Sequence, residues 1–322
     1  MPRTVLITGI TGFAGSHLAE RFVSEGASVH GVAHEDPPFP NLVAIADRVR
    51  VHRGNILERD ALREALERSR AEVVVHLAGQ AVPTLAARDP IAAVRVNVLG
   101  TATLLAALEE HPEVRLVMAS SADVYGDPDA STVDEDAPLA PGNVYAATKV
   151  AAEALVHEFA ERRDAATTIL RPANQIGPRQ HPGLAASAFA KQIAEAEAGL
   201  APPVVRHGSL DARRDFLDVR DMARAYALAA DVTDRGAHVY NVGTGTAVAI
   251  AEILEILREQ AAVPIRAEVD PERVRAGSAG VLALDARRFR ERTGWSPRID
   301  LRTSLRDVLD YWRAQVLQKA PA

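Results

Sequence analysis

Short apolar runs rich in Val, Ile and Leu alternate along this chain with longer stretches in which apolar residues recur every three or four positions. The runs predict strands over 5–7, 28–32, 49–52, 73–77, 116–119 and 167–171. The stretches between them predict helices over 16–24, 59–68, 90–110 and 143–163. Alternation of this kind builds βαβ units, so the expected fold is α/β, a doubly wound parallel sheet with helices on both faces. Beyond Arg171-Pro172 the pattern loosens. Pro and Gly crowd together (Pro172, Gly177, Pro178, Pro182, Gly183), and a helix over 185–198 meets the Pro202-Pro203 break. A strand over 239–242 and helices over 250–260 and 301–314 follow irregularly. The expected division is a first domain over 1–172 and a smaller C-terminal lobe over 173–322, with segments of 211–249 rejoining the first.

Composition narrows the functional classes. The formal net charge of −6 argues against general binding to nucleic acid or an anionic membrane surface, while local basic pockets stay possible. The absence of cysteine excludes disulfides, thiol catalysis and thiolate-bound metal, and no metal site is expected. The N-terminus enters Thr4-Val5-Leu6-Ile7 without a signal peptide's basic start and long apolar core. No run approaches the ~18 uninterrupted apolar residues of a membrane span. The expectation is a soluble cytoplasmic protein with a substantial core.

Two constellations carry chemistry. The first strand ends in Gly9-Ile10-Thr11-Gly12-Phe13-Ala14-Gly15 and a helix follows. Glycines let the backbone approach a pyrophosphate, whose charge meets the helix N-terminus and its free N–H groups. That context points to a dinucleotide. The second constellation is Tyr145-Ala146-Ala147-Thr148-Lys149. With 5 Tyr and 3 Lys in 322 residues, a Tyr followed four positions on by a Lys arises by chance in about one such chain in twenty. On a helix the two share a face, and an ammonium beside a phenol lowers the phenol's pKa from its ordinary value of about 10.

From the glycine loop onward the chain resembles the extended short-chain dehydrogenases/reductases over essentially its whole length, and G-x-x-G-x-x-G is their typical spacing. His76-Leu77-Ala78-Gly79 resembles the motif after the fourth strand that lines the cofactor, and Asn97-Val98-Leu99-Gly100-Thr101 resembles the family's helix-four signature. Ser120-Ser121-Ala122-Asp123-Val124-Tyr125-Gly126 resembles the segment with the catalytic Ser or Thr, placed at Ser121. Gly294-Trp295-x-Pro297 is similar to a C-terminal motif in which Trp295 reads as core packing. The resemblance implies a Rossmann-type NAD(P)-binding domain. Gly9, Thr11, Gly12, Phe13, Ala14 and Gly15 would hold the dinucleotide at one end. Leu77, Ala78, Gly79, Gln80, Asn97 and Pro172 would line it beside Tyr145 and Lys149, and Asn55 and Ile56 would flank the adenine. The family's acid after the second strand is replaced by Ala33, followed by His34 and Glu35. Loss of that acid speaks against strict NAD use, and the lack of Arg or Lys speaks against NADP. The balance falls slightly to NADP, with His34 near the phosphate.

Arg171-Pro172-Ala173-Asn174-Gln175-Ile176-Gly177-Pro178 resembles the R-P-x-N-x-x-G-P segment of the nucleotide-sugar branch, where Asn174 would touch the sugar diphosphate. Lys191, Arg214 and Arg275 follow in family order and suit a diphosphate. Within that branch the second lobe looks most like the GDP-4-keto-6-deoxy-D-mannose 4-reductases and the GDP-mannose 4,6-dehydratases. The dehydratases carry Thr-Ser-Glu or Thr-Asp-Glu where this chain has Ser121-Ala122-Asp123, and the shorter carboxylate favours reduction over dehydration. Ala276-Gly277-Ser278 stands where GDP-sugar relatives place Pro and an acidic residue, which weakens the guanine assignment. The implied reaction is reduction of the C4 keto group of a nucleotide-diphospho-4-keto-6-deoxy sugar. Tyr145 would give the proton, Lys149 would lower its pKa, Ser121 would hydrogen-bond the C4 oxygen and Asp123 would orient the sugar. A 4-epimerase with tightly bound NAD uses the same residues and is the alternative; a 4,6-dehydratase or a non-enzymatic NAD(P) sensor fits less well. Ala-rich helix faces (Ala92, Ala93, Ala102, Ala106; Ala146, Ala147, Ala151, Ala154) imply a homodimer through a four-helix bundle.

Overall fold

A computed structural model of the chain describes residues 3–128, 130–274 and 280–318. In order they form β1 (Thr4–Thr8), α1 (Phe13–Ser24), β2 (Ser28–Ala33), β3 (Val49–Arg53), α2 (Arg59–Ser69), β4 (Val73–His76), α3 (Pro83–Arg88), α4 (Pro90–Val94), α5 (Gly100–Leu108) and β5 (Arg115–Ala119). The chain continues through β6 (Thr132–Val133), α6 (Val144–Arg163), β7 (Ala166–Pro172), β8 (Asn174–Ile176), α7 (Ala185–Glu197), β9 (Val204–His207) and β10 (Arg213–Asp218). Then come α8 (Val219–Ala229), β11 (Gly236–Val242), β12 (Ala247–Ala249), α9 (Ile250–Glu259), β13 (Arg266–Val269), β14 (Val281–Leu284), α10 (Arg287–Thr293) and α11 (Leu301–Leu317).

Seven parallel strands pair in the order β11-β7-β5-β4-β1-β2-β3. Their centres are continuous apolar runs, and Val5, Leu6, Ile7, Val73, Val74 and Val75 are fully buried. A sheet covered on both faces demands such runs. Alternate residues serve opposite layers: Val5 and Ile7 pack with α1 and α8, Leu6 with α2, α5 and α6. The strand order reverses between β1 and β4, which makes the cleft at their carboxyl ends the natural ligand site.

In the second lobe, α7, α9 and α11 pack Phe189, Ile193, Ile253, Leu257, Leu305 and Val308 into one core. β12, β10, β14 and β6 form a smaller sheet, with β8 also paired to β10. From late in the chain, β11 returns to the large sheet and pairs β7 from Gly236–Ala166 through Val242–Pro172. The preceding α8 packs on α1 and is absent from the sequence-predicted elements. Its buried face is largely alanine (Ala223, Ala225, Ala227, Ala229). Asp218 starts it by accepting from the Arg220 backbone N–H at 2.8 Å.

Pro90–Leu108 is one continuous helical stretch through a π turn at Arg95–Leu99. Its 19 residues are apolar enough on average to cross a bilayer by length and composition alone, but Arg95, Asn97, Thr101 and Thr103 interrupt them, so it is not an uninterrupted apolar run. About midway sits Asn97, buried and fully engaged by polar partners, as in a helix packed within a protein.

On β2 and β3, His30 and His52 stack with ring centroids 5.2 Å apart, and His30 Nδ1 lies 2.9 Å from His52 Nε2. Burial, then the charge of His52 and Arg50, hold His30 down to about 4. The unfolded chain takes up that proton near pH 6.5, so stability from this pair is complete above about 6.5 and is lost as pH falls toward about 4. The thermal unfolding midpoint should fall across that window, and His30→Phe should flatten the fall. An unchanged slope in the variant would remove this pair as its cause.

Candidate active site

The cofactor end of the site is built by what its glycines lack. Gly9 has φ +73°, and a Cβ there would stand 2.8 Å from the Ala78 nitrogen. A Cβ on Gly15 would stand 2.0 Å from the Gly9 carbonyl. Gly12 caps α1 with no side-chain hydrogen bond, so the first N–H groups of the helix stay available to an anion. Gly9, Gly12, Phe13, Ala14 and Gly15 line one cavity of about 320 Å³, the size of a small-ligand site. A dinucleotide's pyrophosphate fits this cradle.

Ser121, Asp123, Tyr145 and Lys149 line the same cavity, with Leu77, Gly79, Pro172 and Asn174. Ser121 follows β5 and opens a single helical turn, its hydroxyl accepting from the Asp123 backbone N–H at 3.1 Å. Tyr145 and Lys149 sit in the first turns of α6, which Asn143 caps by accepting from the Ala146 N–H at 2.9 Å. Lys149 Nζ donates to the Ala119 carbonyl at 2.7 Å and lies 5.9 Å from the Tyr145 ring centroid. Burial lowers the Lys149 ammonium to about 8, against the pull of the Glu153 carboxylate. Tyr145 behaves differently from the sequence expectation. Burial and then the Asp123 charge push its phenol well above its ordinary range, and the Ser121 hydroxyl opposes them. In this resting arrangement burial and the Asp123 charge outweigh the Ser121 hydrogen bond, so the phenol is kept protonated. Burial also raises the Asp123 carboxyl, against the Arg214 guanidinium that faces it.

A family model for GDP-mannose 4,6 dehydratase matches residues 6–308. The chain belongs to that family, a branch of the extended short-chain dehydrogenases/reductases. GDP-6-deoxy-D-mannose reductase of Pseudomonas aeruginosa is 33% identical to it over 99% of this chain and 100% of its own. RMD from Pseudomonas aeruginosa, solved in complex with NADPH, superposes with a TM-score of 0.82 at 32% identity, covering 97% of this chain and 99% of that one. UDP-glucose 4-epimerase of Thermus thermophilus, solved in complex with NAD, gives 0.84 at 28% identity over 96% and 98%. The protein is an NAD(P)-dependent nucleotide-sugar oxidoreductase with the expected doubly wound α/β fold.

Several residues of the family pattern stand elsewhere than expected. Asn97 lies behind the cavity wall: its Oδ1 accepts from the Gln80 N–H at 2.7 Å and its Nδ2 donates to Thr148 Oγ1 at 2.8 Å. It ties the Gln80 loop to α6, and Thr148 in turn donates to the Tyr145 carbonyl at 2.7 Å. Asn97 and Gln80 therefore position the wall instead of lining it. Ala78 serves the same scaffold, its N–H donating to Thr8 Oγ1 at 3.2 Å. Asn55 and Ile56 lie past the end of β3, where Asn55 Oδ1 accepts from the Leu57 N–H at 3.0 Å and Ile56 packs under Gly100. His34 lies at the surface with its Nδ1 3.1 Å from Glu35 Oε2. Glu35 also accepts the Thr11 hydroxyl. Lys191 does not reach the cavity: its ammonium lies 3.5 Å from Glu195 and 5.7 Å from the Trp312 ring centroid. Arg214 donates to the Arg213 carbonyl at 2.9 Å and to that of Gly280, with its charge toward Asp123. Arg275 and the 276–278 segment lie outside the described residues.

Sequence reasoning missed the buried network under the site. Glu153, one turn after Lys149, forms a two-point ion pair with Arg171 at 2.6 and 3.0 Å and accepts the Ser120 hydroxyl. Arg171 donates to the Tyr125 hydroxyl at 2.9 Å, which donates to Asn241 Oδ1 at 2.7 Å. The Lys149–Glu153 spacing on α6 was the available signal.

Proposed function

We propose that the enzyme reduces the C4 keto group of a nucleotide-diphospho-4-keto-6-deoxy sugar, with a GDP sugar as first candidate. Bound NAD(P)H supplies the hydride. Tyr145 gives its proton to the C4 oxygen as that oxygen becomes an alkoxide, and the Ser121 hydroxyl hydrogen-bonds it as charge grows. Lys149, charged below about 8, stabilises the phenolate left behind. Asn174, on the cavity wall, is the side chain suited to the sugar diphosphate. The carrying observation is Asp123, half-buried on the cavity wall with its charge on Tyr145. It favours a protonated phenol, the form that begins a reduction, and its carboxyl is one methylene shorter than the dehydratases' acid. The 33% identity to a GDP-6-deoxy-D-mannose reductase supports the same reading.

The alternative is a 4-epimerase that retains NAD, and one observation bears on the choice of dinucleotide. Against the effect of burial, the Thr11 hydroxyl, nearby N–H groups and His34 hold the Glu35 carboxyl below its ordinary range. An anion beside the glycine loop disfavours a 2′-phosphate and favours NAD(H). Glu35→Arg should therefore shift the NADPH-to-NADH ratio of kcat/KM toward NADPH by about tenfold, or about 1.4 kcal/mol. An unmoved ratio would dismiss Glu35 as a selector. Purified enzyme, analysed for bound dinucleotide, is to be assayed with a panel of nucleotide 4-keto-6-deoxy sugars. Stoichiometric oxidation of added NADH or NADPH supports the reductase. Interconversion of a UDP- or GDP-hexose with no added cofactor replaces it with the epimerase.

We also propose a homodimer. Ile91, Val94 and Leu99 are 74%, 47% and 51% exposed on the Pro90–Leu108 stretch, and Ala147 and Ala154 are exposed on α6. Light scattering should give twice the chain mass, and a monomer at micromolar concentration would refute the pairing.

A further inference from the structure

A buried polar atom with no partner marks where a ligand or a water belongs. Among the described residues, Gln175 Oε1, Gln180 Oε1 and Tyr226 Oη are buried without a hydrogen bond, and all three residues line the active-site cavity. Their orientations are constrained. Gln180 Nε2 donates to the Gln175 carbonyl at 2.6 Å, which leaves Oε1 as the free end. Tyr226 is 1% exposed; its hydroxyl stands beside the Gln175 amide, close enough for that amide to oppose the upward push of burial on the phenol but without a formed hydrogen bond, and it faces the Tyr145 phenol. The trio also approaches from the cofactor side. Tyr226 belongs to α8, which packs on α1 behind the glycine loop, and a Cβ on Gly177 would stand 3.7 Å from the Phe13 ring. Ser121 and Asp123 come instead from the segment after β5.

We propose that Tyr226, Gln175 and Gln180 form the receptor for the carboxamide group of the nicotinamide. A primary carboxamide offers one acceptor oxygen and two N–H donors. The three free atoms are its complement: one hydroxyl that can donate and two amide oxygens that accept. A single sugar hydroxyl would satisfy fewer of them. Holding the carboxamide fixes the rotation of the nicotinamide ring, and with it the ring face turned toward Tyr145 and Ser121. The inference rests on dinucleotide binding and is independent of which sugar is reduced.

The test is binding to the full-length protein, with ADP-ribose as the probe that lacks nicotinamide. Each lost hydrogen bond is worth about 1 kcal/mol, or about fivefold. Gln175→Leu and Tyr226→Phe should each weaken NADH about fivefold by fluorescence titration, and leave the ADP-ribose Kd unchanged. The acetylpyridine analogue of NADH, which has a methyl in place of the carboxamide NH2, should bind Gln175→Leu and wild type alike. Unchanged NADH affinity overturns the proposal, whether or not KM for the sugar rises. Parallel weakening of NADH and ADP-ribose overturns it as well. Gln175→Leu alters a half-buried side chain, which keeps the test independent of how well the fully buried Tyr226 site tolerates change.

Discussion

Tyr145→Phe is expected to lower kcat by about 10²–10⁴-fold, the usual share of a positioned proton donor, with NADH affinity nearly intact. The substitution removes one oxygen and keeps the ring that packs with Ala86 and Ala93, so the fold should survive. Ser121 cannot take over the role well. Its hydroxyl oxygen is already engaged by the Asp123 N–H, and an aliphatic alcohol gives up its proton far less readily than a phenol. Steady-state assay beside fluorescence titration of NADH checks this, and turnover within tenfold of wild type would show that the proton comes from elsewhere. The wild-type pH profile carries a second sign. Lys149 titrates near 8, so its charge is present below that pH and disappears above it, and kcat should decline on the alkaline side.

Glu153→Leu should destabilise the fold by about 3–5 kcal/mol, because it leaves a buried guanidinium without its counter-charge. The side chains of Arg171 and Glu153 are only 6% and 3% exposed, so solvent cannot replace the lost partner. The double variant Glu153→Leu with Arg171→Met should recover most of that loss. Tyr125 keeps Asn241 as a partner, and the Ser120 hydroxyl and the Glu135 carbonyl are the groups left short. Urea unfolding of the three variants decides it, and a double variant no better than Glu153→Leu alone would refute the account. Without Glu153, Lys149 also loses the carboxylate that supports its charge. The alkaline decline of kcat should move to lower pH in Glu153→Leu, an effect that packing damage alone would not produce.

The parts of the site legible in the sequence were those written as local spacing. A glycine loop after a strand and a Tyr–Lys pair on one helix face are determined within a few residues, and the structure brings both to one cavity. Strand positions in the large sheet were legible because a doubly covered strand must be a continuous apolar run. What escaped depends on contacts between distant segments. Lys191 follows the family order, yet Glu195 on its own helix and Trp312 from α11 hold it away. Asn97 belongs to the family signature, but its side chain is spent on the Gln80 backbone and Thr148. Tyr226 turns its hydroxyl toward Gln175 and Tyr145, which come from β8 and α6, a meeting that no local spacing records.

The late return of β11 has a consequence for synthesis. When β7 leaves the ribosome, one flank of its backbone N–H and C=O groups has no neighbour, and the strand that completes it is encoded far downstream. An open, apolar, parallel edge is a template for pairing with another chain. A product ending before Gly236 should therefore form aggregates in place of an autonomous first domain. Completion of the nucleotide-binding sheet waits on translation of most of the polypeptide, so the two lobes acquire their structure as a single event.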